Sequence, residues 1–378
     1  MKYYIIAGEA SGDLHASNLM KNLKIKDKQA QFRIWGGDLM QAQGGELVKH
    51  YRDLAFMGFT EVIANLPVIL RNISFCKKDI VDYNPDVLIL VDYPGFNLRI
   101  AKFAFAKNIR VFYYISPQVW AWKKSRVKKI RKFVERMYVI LPFEKKFYEK
   151  YNVDVDFVGH PLLDFIENEK RLLSSPNDFR EKHNLDKRLI IAVLPGSRKQ
   201  EIAKMLPVML TAANRFTNYQ FVVAGAPSIS SEFYNEIAGK VDFKIIFNAT
   251  HDLLHNAYAG IITSGTATLE TALLEVPQVV CYKGSNISFQ IARRIVDIKY
   301  ISLVNLIMDK QVITELIQTE MNPKNIEAEL EKLTNFSHRM LVLNNYKMLR
   351  QKLGGAGASA RTAELMVQRL DVQTNRTA

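Results

Sequence analysis

The chain of 378 residues is 48% hydrophobic and 24% charged, the composition of a folded, water-soluble protein with two domains or one large one. Its two cysteines, Cys76 and Cys281, lie far apart without C-x-x-C spacing, which excludes a disulfide framework and a zinc ribbon and fits buried thiols in a reducing compartment. The net charge of +14 is uneven: residues 99–150 hold fifteen Lys or Arg against three Glu, a patch that either attracts phosphate (nucleic acid, anionic lipid, a phosphorylated substrate) or is simply a solvated helix face.

In chain order, short apolar runs predict strands over 3–7, 33–35, 87–91, 111–115, 137–141 and 155–158. Helical patterns fall between them, around 14–23, 59–83, 98–108 and 126–134. The polar stretch 168–184 reads as a linker with a short helix. The strand pattern then restarts over 189–194, 220–224, 244–247, 260–263 and 278–282, with helices over 201–216, 231–238, 267–274 and 288–296. Continuous Val/Ile/Leu runs suit parallel strands covered on both faces, so the alternation predicts two doubly wound α/β domains. The tail from 326 is helical in pattern, broken at Gly354-Gly355-Ala356-Gly357. The first apolar run is too short for a secretory signal and meets Glu9 and Asp13, and no window approaches the roughly 18 apolar residues of a membrane span. The expectation is a cytoplasmic protein able to lie against a membrane.

In open α/β sheets ligands bind beyond the carboxyl ends of strands, so the loops after the strands carry the candidates. Gly8-Glu9-Ala10-Ser11-Gly12-Asp13 opens a helix without the G-x-G-x-x-G spacing of a dinucleotide site; its glycines permit close approach of a ligand, and Ser11 or Asp13 is equally a helix cap. Asp92, ending a strongly apolar strand before Tyr93-Pro94-Gly95, is placed as a general base or as a cap. Trp120 and Trp122, followed by Lys123, Lys124, Lys128 and Lys129, suit a membrane interface or a phosphate-bearing acyl ligand, or else a core tryptophan beside a solvated helix. The apolar segment 56–71, with Met57 and Phe59, makes a lipid groove or an ordinary core helix. In the second half, Gly196-Ser197-Arg198 before a helix fits diphosphate binding, and Ser264-Gly265-Thr266 offers a second helix N-terminus with Glu270 one turn on, in reach of a ribose diol. Asp154-Val155-Asp156 matches a metal-dependent D-x-D pattern but reads as a surface strand, and no histidine spacing suggests a metal site.

These loops, with Ser116-Pro117-Gln118-Val119-Trp120-Ala121-Trp122, Leu141-Pro142-Phe143-Glu144, Gly159-His160-Pro161 and Leu194-Pro195-Gly196-Ser197-Arg198, occur in an order that closely resembles the lipid-A-disaccharide synthase family, glycosyltransferase family 19, over about residues 3–310. The resemblance implies a GT-B architecture: two Rossmann-like domains facing a central cleft, 1–166 for the acceptor and membrane, 167–340 for the UDP-sugar, and 341–378 as helices packing back across them. It implies transfer of 2,3-diacylglucosamine from its UDP derivative to 2,3-diacylglucosamine 1-phosphate, with a β-1,6 link formed and UDP released, in a Gram-negative bacterium, at the inner face of the cytoplasmic membrane. Asp92 matches the family's proposed catalytic aspartate and Arg198 its essential arginine; Glu270 and Asn305 match positions expected around the nucleotide. Gly95 departs from family forms with an acidic residue there, which removes one candidate carboxylate and strengthens the case for Asp92. His15 is given no catalytic part.

The implied partners are the two acylated sugars, inner-membrane phospholipids and a second copy of the chain as a homodimer, with no nucleic acid. No metal or other cofactor is expected, so Arg198 and the helix N-termini must carry the leaving diphosphate's charge. The rival enzymes are a UDP-N-acetylglucosamine 2-epimerase or another GT-B UDP-sugar transferase. A nucleic-acid binder, suggested by the charge, lacks any RRM, KH or helix-turn-helix pattern.

Overall fold

The computed structural model describes all residues except 55–65, 122–124, 171, 240, 286–288, 290–298 and 378, and the side chains of all of these but 213 and 372–377. The chain divides into two compact units, Met1–Asp164 with Leu353–Ala378, and Phe165–Lys352.

The first unit is a parallel sheet of β1 (Lys2–Ala7), β2 (Gln31–Gly36), β3 (Glu46–His50), β4 (Val87–Val91), β5 (Arg110–Tyr114), β6 (Arg136–Val139) and β7 (Val155–Phe157), in the order β3-β2-β1-β4-β5-β6-β7. Its helices are α1 (Ala10–Lys26), α2 (Asp38–Ala42), α3 (Leu66–Tyr83), α4 (Pro94–Ala106), α5 (Arg126–Phe133) and α6 (Pro142–Glu149), together with the final helix, Ala358–Thr377. Successive strand residues point to opposite faces. Tyr4, Ile6, Leu88 and Leu90 therefore pack with Ile73 and Ile80 of α3 and Ile100 of α4. Tyr3, Ile5, Val87 and Ile89 pack with Leu19 and Leu23 of α1 and with Met366 and Leu370 of the final helix. Both faces are covered, which is why β1 and β4 are almost uninterrupted apolar runs. The final helix is held here by Asp164, whose carboxylate accepts the N–H groups of Gly357, Ala358 (3.2 Å) and Ser359 (3.1 Å) at its N-terminus.

The second unit repeats the plan. Strands β8 (Leu189–Leu194), β9 (Tyr219–Gly225), β10 (Lys244–Phe247), β11 (Ala259–Thr263), β12 (Gln278–Tyr282) and β13 (Glu315–Ile317) form a parallel sheet ordered β10-β9-β8-β11-β12-β13. Helix α7 (Pro161–Glu169) carries the chain from one unit to the next. It is followed by α8 (Pro176–Lys182), α9 (Lys199–Thr211), α10 (Ser231–Ala238), α11 (Thr250–His255), α12 (Thr266–Leu273), α13 (Leu303–Met308), α14 (Pro323–Thr334) and α15 (Phe336–Lys352).

Two strands were not expected from sequence, β3 and β13. Both are edge strands, half-buried and interrupted by polar residues, so they lack the continuous apolar run that marks the interior ones. The expected strand 111–115 stops one residue early because Ile115 turns into the left-handed region, φ 64°. The expected helix over 288–296 lies outside the described residues except for position 289, as does the first part of 59–83. In each sheet the strand order reverses once, between β1 and β4 and between β8 and β11. At such switch points the flanking loops part and leave room for a ligand. Among the described residues no helix is long and apolar enough to cross a membrane.

Candidate functional site

At the second unit's switch point, the loops after β8, β9 and β11 surround a cavity of about 520 Å³, lined by Gly196, Ser197, Arg198, Glu201, Gly225, Ala226, Pro227, Thr250, Ser264, Gly265, Thr266 and Glu270, among others. Two helices start on it. Arg198 is the N-cap of α9 and Gly265 that of α12, and neither helix end is closed by a side-chain hydrogen bond. The first-turn N–H groups of a helix have no intrahelical acceptor, and the helix dipole adds a partial positive charge there. Two such ends facing one cavity make an anion site. Neither Ser264 nor Thr266 caps α12: the Ser264 hydroxyl donates to the Ile301 carbonyl at 3.3 Å. Gly265 has φ 143°, a conformation that disfavours any side chain, yet a Cβ there would meet no protein atom within 4 Å. Arg198 reaches outward, two-thirds exposed, and donates to Glu201 at 3.0 Å. Glu270 lines the cavity, and behind it stands His251 with Nε2 3.6 Å from its carboxylate.

Asn305, expected beside the nucleotide, does not line this cavity. It is fully buried; its amide donates to Ile313 O and Glu315, and its carbonyl accepts the N–H groups of Val312 (2.7 Å) and Ile313 (3.1 Å). Its side chain is engaged in joining α13 to the segment 312–315 that leads into β13.

At the first unit's switch point the loops after β1 and β4 meet. Asp92 and Tyr93 both adopt left-handed backbone, φ 43° and 47°. That turn is held by Asn97, which donates to the carbonyls of Val91 (3.2 Å) and Asp92 (2.8 Å), and by the Tyr113 hydroxyl, which also donates to Asp92 O. Strained backbone over-determined by its neighbours is common where a side chain must be aimed. Burial pushes the Asp92 carboxyl up to about 6, and the nearby Glu9 carboxylate adds to the rise. Gly8 is required by packing: a Cβ there would stand 2.3 Å from the Tyr93 ring. Glu9 and Ser11 are exposed at the start of α1, and Gly12 packs on Ala7. Asp13 is a structural residue: buried, it accepts the N–H groups of Gly37 (2.8 Å), Leu39 (3.1 Å) and Met40 (3.1 Å) and so caps α2.

Of the expected lipid-facing residues, Met57, Phe59, Trp122, Lys123 and Lys124 lie outside the described residues. Trp120 is not a surface residue: it is 8% exposed and packs edge-on against Phe143 at 5.0 Å. Lys128 and Lys129 do reach a surface. With Lys77, Arg99, Lys102 and Lys132 they rim a groove of about 720 Å³ floored by Leu66, Leu70, Ile73, Leu98 and Phe133.

Sequence reasoning missed Glu144 as a structural group. It is fully buried, closes the start of α6 by accepting from Leu141 N at 2.9 Å, and burial pushes its carboxyl up to about 7. His15 and His160 are neutral, pushed down by burial to about 4 and about 3. Arg136 takes both carboxylates of the D-x-D pattern, Asp156 at 2.5 Å and Asp154. Among the described residues, no three His, Cys, Asp or Glu side chains converge as a metal site.

Compared with known proteins, residues 3–366 match the lipid-A-disaccharide synthetase family. The lipid-A-disaccharide synthase of Syntrophus aciditrophicus is 41% identical over 368 residues, covering 95% of each chain. That of Coxiella burnetii is 35% identical over 368 residues, 96% of each. Among solved structures, UDP-GlcNAc 2-epimerase from Neisseria meningitidis bound to UDP-GlcNAc superposes with a TM-score of 0.68 at 12% identity, covering 97% of this chain and 100% of that one. The calicheamicin glycosyltransferase CalG4 gives 0.60 at 15%, covering 97% and 98%. At these identities the likeness shows the fold alone, the GT-B type built from two Rossmann-like units.

Proposed function

Because the chain belongs to the lipid-A-disaccharide synthetase family, we propose that it transfers 2,3-diacylglucosamine from its UDP derivative to 2,3-diacylglucosamine 1-phosphate, forming the β-1,6 disaccharide and releasing UDP. The observation that carries this reading is the second unit's cavity, where two helix ends without side-chain caps face one space beside Arg198. A diphosphate fits that chemistry, and Glu270 is the acceptor for a ribose hydroxyl.

An α-linked donor giving a β product calls for one in-line displacement. Asp92 takes the proton of the acceptor's 6-hydroxyl as the oxygen attacks the anomeric carbon; the bond to UDP breaks, and the charge left on the diphosphate is met by Arg198 and the two helix ends. A carboxyl with a pKa near 6 is ionised at neutral pH yet more basic than an ordinary aspartate. No metal has a part in this reading. The apolar floor and cationic rim of the 720 Å³ groove suit acyl chains and anionic headgroups, so the chain would work as a peripheral protein on an anionic membrane face.

Purified protein given both acylated substrates in EDTA should release UDP and form the disaccharide phosphate. Release without acceptor, 2-epimerised product, or a strict need for a divalent cation would each refute the corresponding part.

A further inference from the structure

His251 sits in α11, one residue into the second unit's cavity wall from Thr250, and no motif marked it in the sequence. Its ring lies between two carboxylates from two other helices: Nδ1 is 2.6 Å from Glu169 of α7, and Nε2 faces Glu270 of α12 at 3.6 Å. Phe165 closes one side, edge-on at 5.1 Å. On its own helix, Asp252 is engaged by the N–H (2.8 Å) and hydroxyl (2.7 Å) of Ser174. The Nε2 atom is buried and makes no hydrogen bond, and the Glu270 carboxylate stands 3.6 Å from it.

We propose that His251, as an imidazolium, is a positioning residue that holds the Glu270 carboxylate toward the cavity and so sets recognition of the nucleotide's ribose diol. The inference rests on the reading of Glu270 as the ribose acceptor. Only the doubly protonated ring offers an N–H to both carboxylates at once. The neutral ring keeps its proton on one nitrogen; with the short contact to Glu169 retained, a lone pair then faces Glu270 and repels it. Burial opposes the charged ring, but Glu270 and Glu169 more than offset this, so the His251 pKa is raised above its ordinary value. The clamp is present below that raised value and is lost as pH rises through it.

The test compares Kd for UDP with Kd for 2′-deoxy-UDP between about pH 6 and pH 9. The phosphates are the same in both ligands, so their ionisation cancels in the ratio. In the wild type the deoxy ligand should bind about tenfold more weakly at low pH, since a hydrogen bond to a charged group is lost. That ratio should fall toward two as pH rises. His251→Gln should give the low ratio at every pH. Glu169→Gln, outside the cavity lining, should keep the ratio at low pH and move its midpoint to lower pH, so the proposal stays testable even where the histidine variant fails to fold. A wild-type ratio near one at all pH overturns the ribose role of Glu270 and this inference with it. A ratio abolished by Glu270→Gln but unaltered in size and pH course by His251→Gln, or a midpoint unmoved by Glu169→Gln, overturns the inference alone.

Discussion

The two switch points share a topology and differ in what fills them. In the first unit the protein occupies its own loops: the Tyr93 ring lies where a Gly8 side chain would be, Asp13 caps α2, and Asn97 and Tyr113 pin the Asp92 carbonyl. In the second the backbone is left open, with Gly265 facing empty space and two helix ends lacking side-chain caps. Their charges differ too. Asp92 and Glu9 bring two carboxyls to the first site; the second also holds two, Glu201 and Glu270, but sets Arg198 and two helix N-termini beside them. In one site protein contacts fix the backbone that carries the Asp92 carboxyl; in the other two helix ends are left without side-chain caps. A base needs a fixed direction and a tuned pKa, whereas an anion site needs unsatisfied donors.

The sharpest way to break that comparison is to remove the aimed carboxyl. Asp92→Ala should lower kcat by about 10²–10⁴ with KM for the UDP-sugar little changed. Asp92→Asn should do the same and yet raise Tm at pH 8, because ionising a carboxyl whose folded pKa lies above its unfolded value costs stability. That gain is present above about pH 6 and gone below about pH 4. A variant with near-normal turnover and an unchanged melting curve would remove Asp92 from its role.

At the second site, Arg198→Ala should lower kcat/KM for the UDP-sugar about 10–100-fold, the loss of a charge-assisted hydrogen bond to phosphate that strengthens as the diphosphate leaves, and leave KM for the acceptor within twofold. Equal effects on both substrates would erase the division of labour between the units. For the cationic groove, Lys128→Gln with Lys129→Gln should weaken binding to anionic vesicles about tenfold, and wild-type binding should fall as salt rises. Binding indifferent to both changes would leave the basic rim without a membrane role.

The same contrast explains what the sequence could reveal. Interior strands such as β4 and β8 were legible because coverage on both faces leaves only apolar residues, and the loops after them followed from strand ends. Strands β3 and β13 were not, since each offers only two consecutive apolar residues, Leu47-Val48 and Leu316-Ile317. Asp13, Asn305 and Trp120 show a second limit. Whether a polar or aromatic side chain turns to a ligand or to the protein's own groups depends on partners that the local motif does not contain: Gly37 and Met40 for Asp13, Val312 for Asn305, Phe143 for Trp120. His251 shows the converse, a group with no sequence signal whose partners, Glu169 and Glu270, come from helices 82 residues before it and 19 after.

Glu9 bears on how the Asp92 carboxyl is tuned rather than on whether it is present. Burial is the main cause of the raised Asp92 pKa, and the Glu9 carboxylate is the second. Turnover should therefore fall with a slope of one below about pH 6, as the base is protonated. Glu9→Gln removes only the smaller cause, so the acid limb should move down by a few tenths of a pH unit, with kcat on the plateau nearly unchanged. Glu9 is exposed at the start of α1, so the substitution leaves the packing of Tyr93 on Gly8 intact. An acid limb unmoved by Glu9→Gln but displaced upward by Arg198→Ala would assign the titrating group to the second unit, and the aimed carboxyl of the first would no longer be the base.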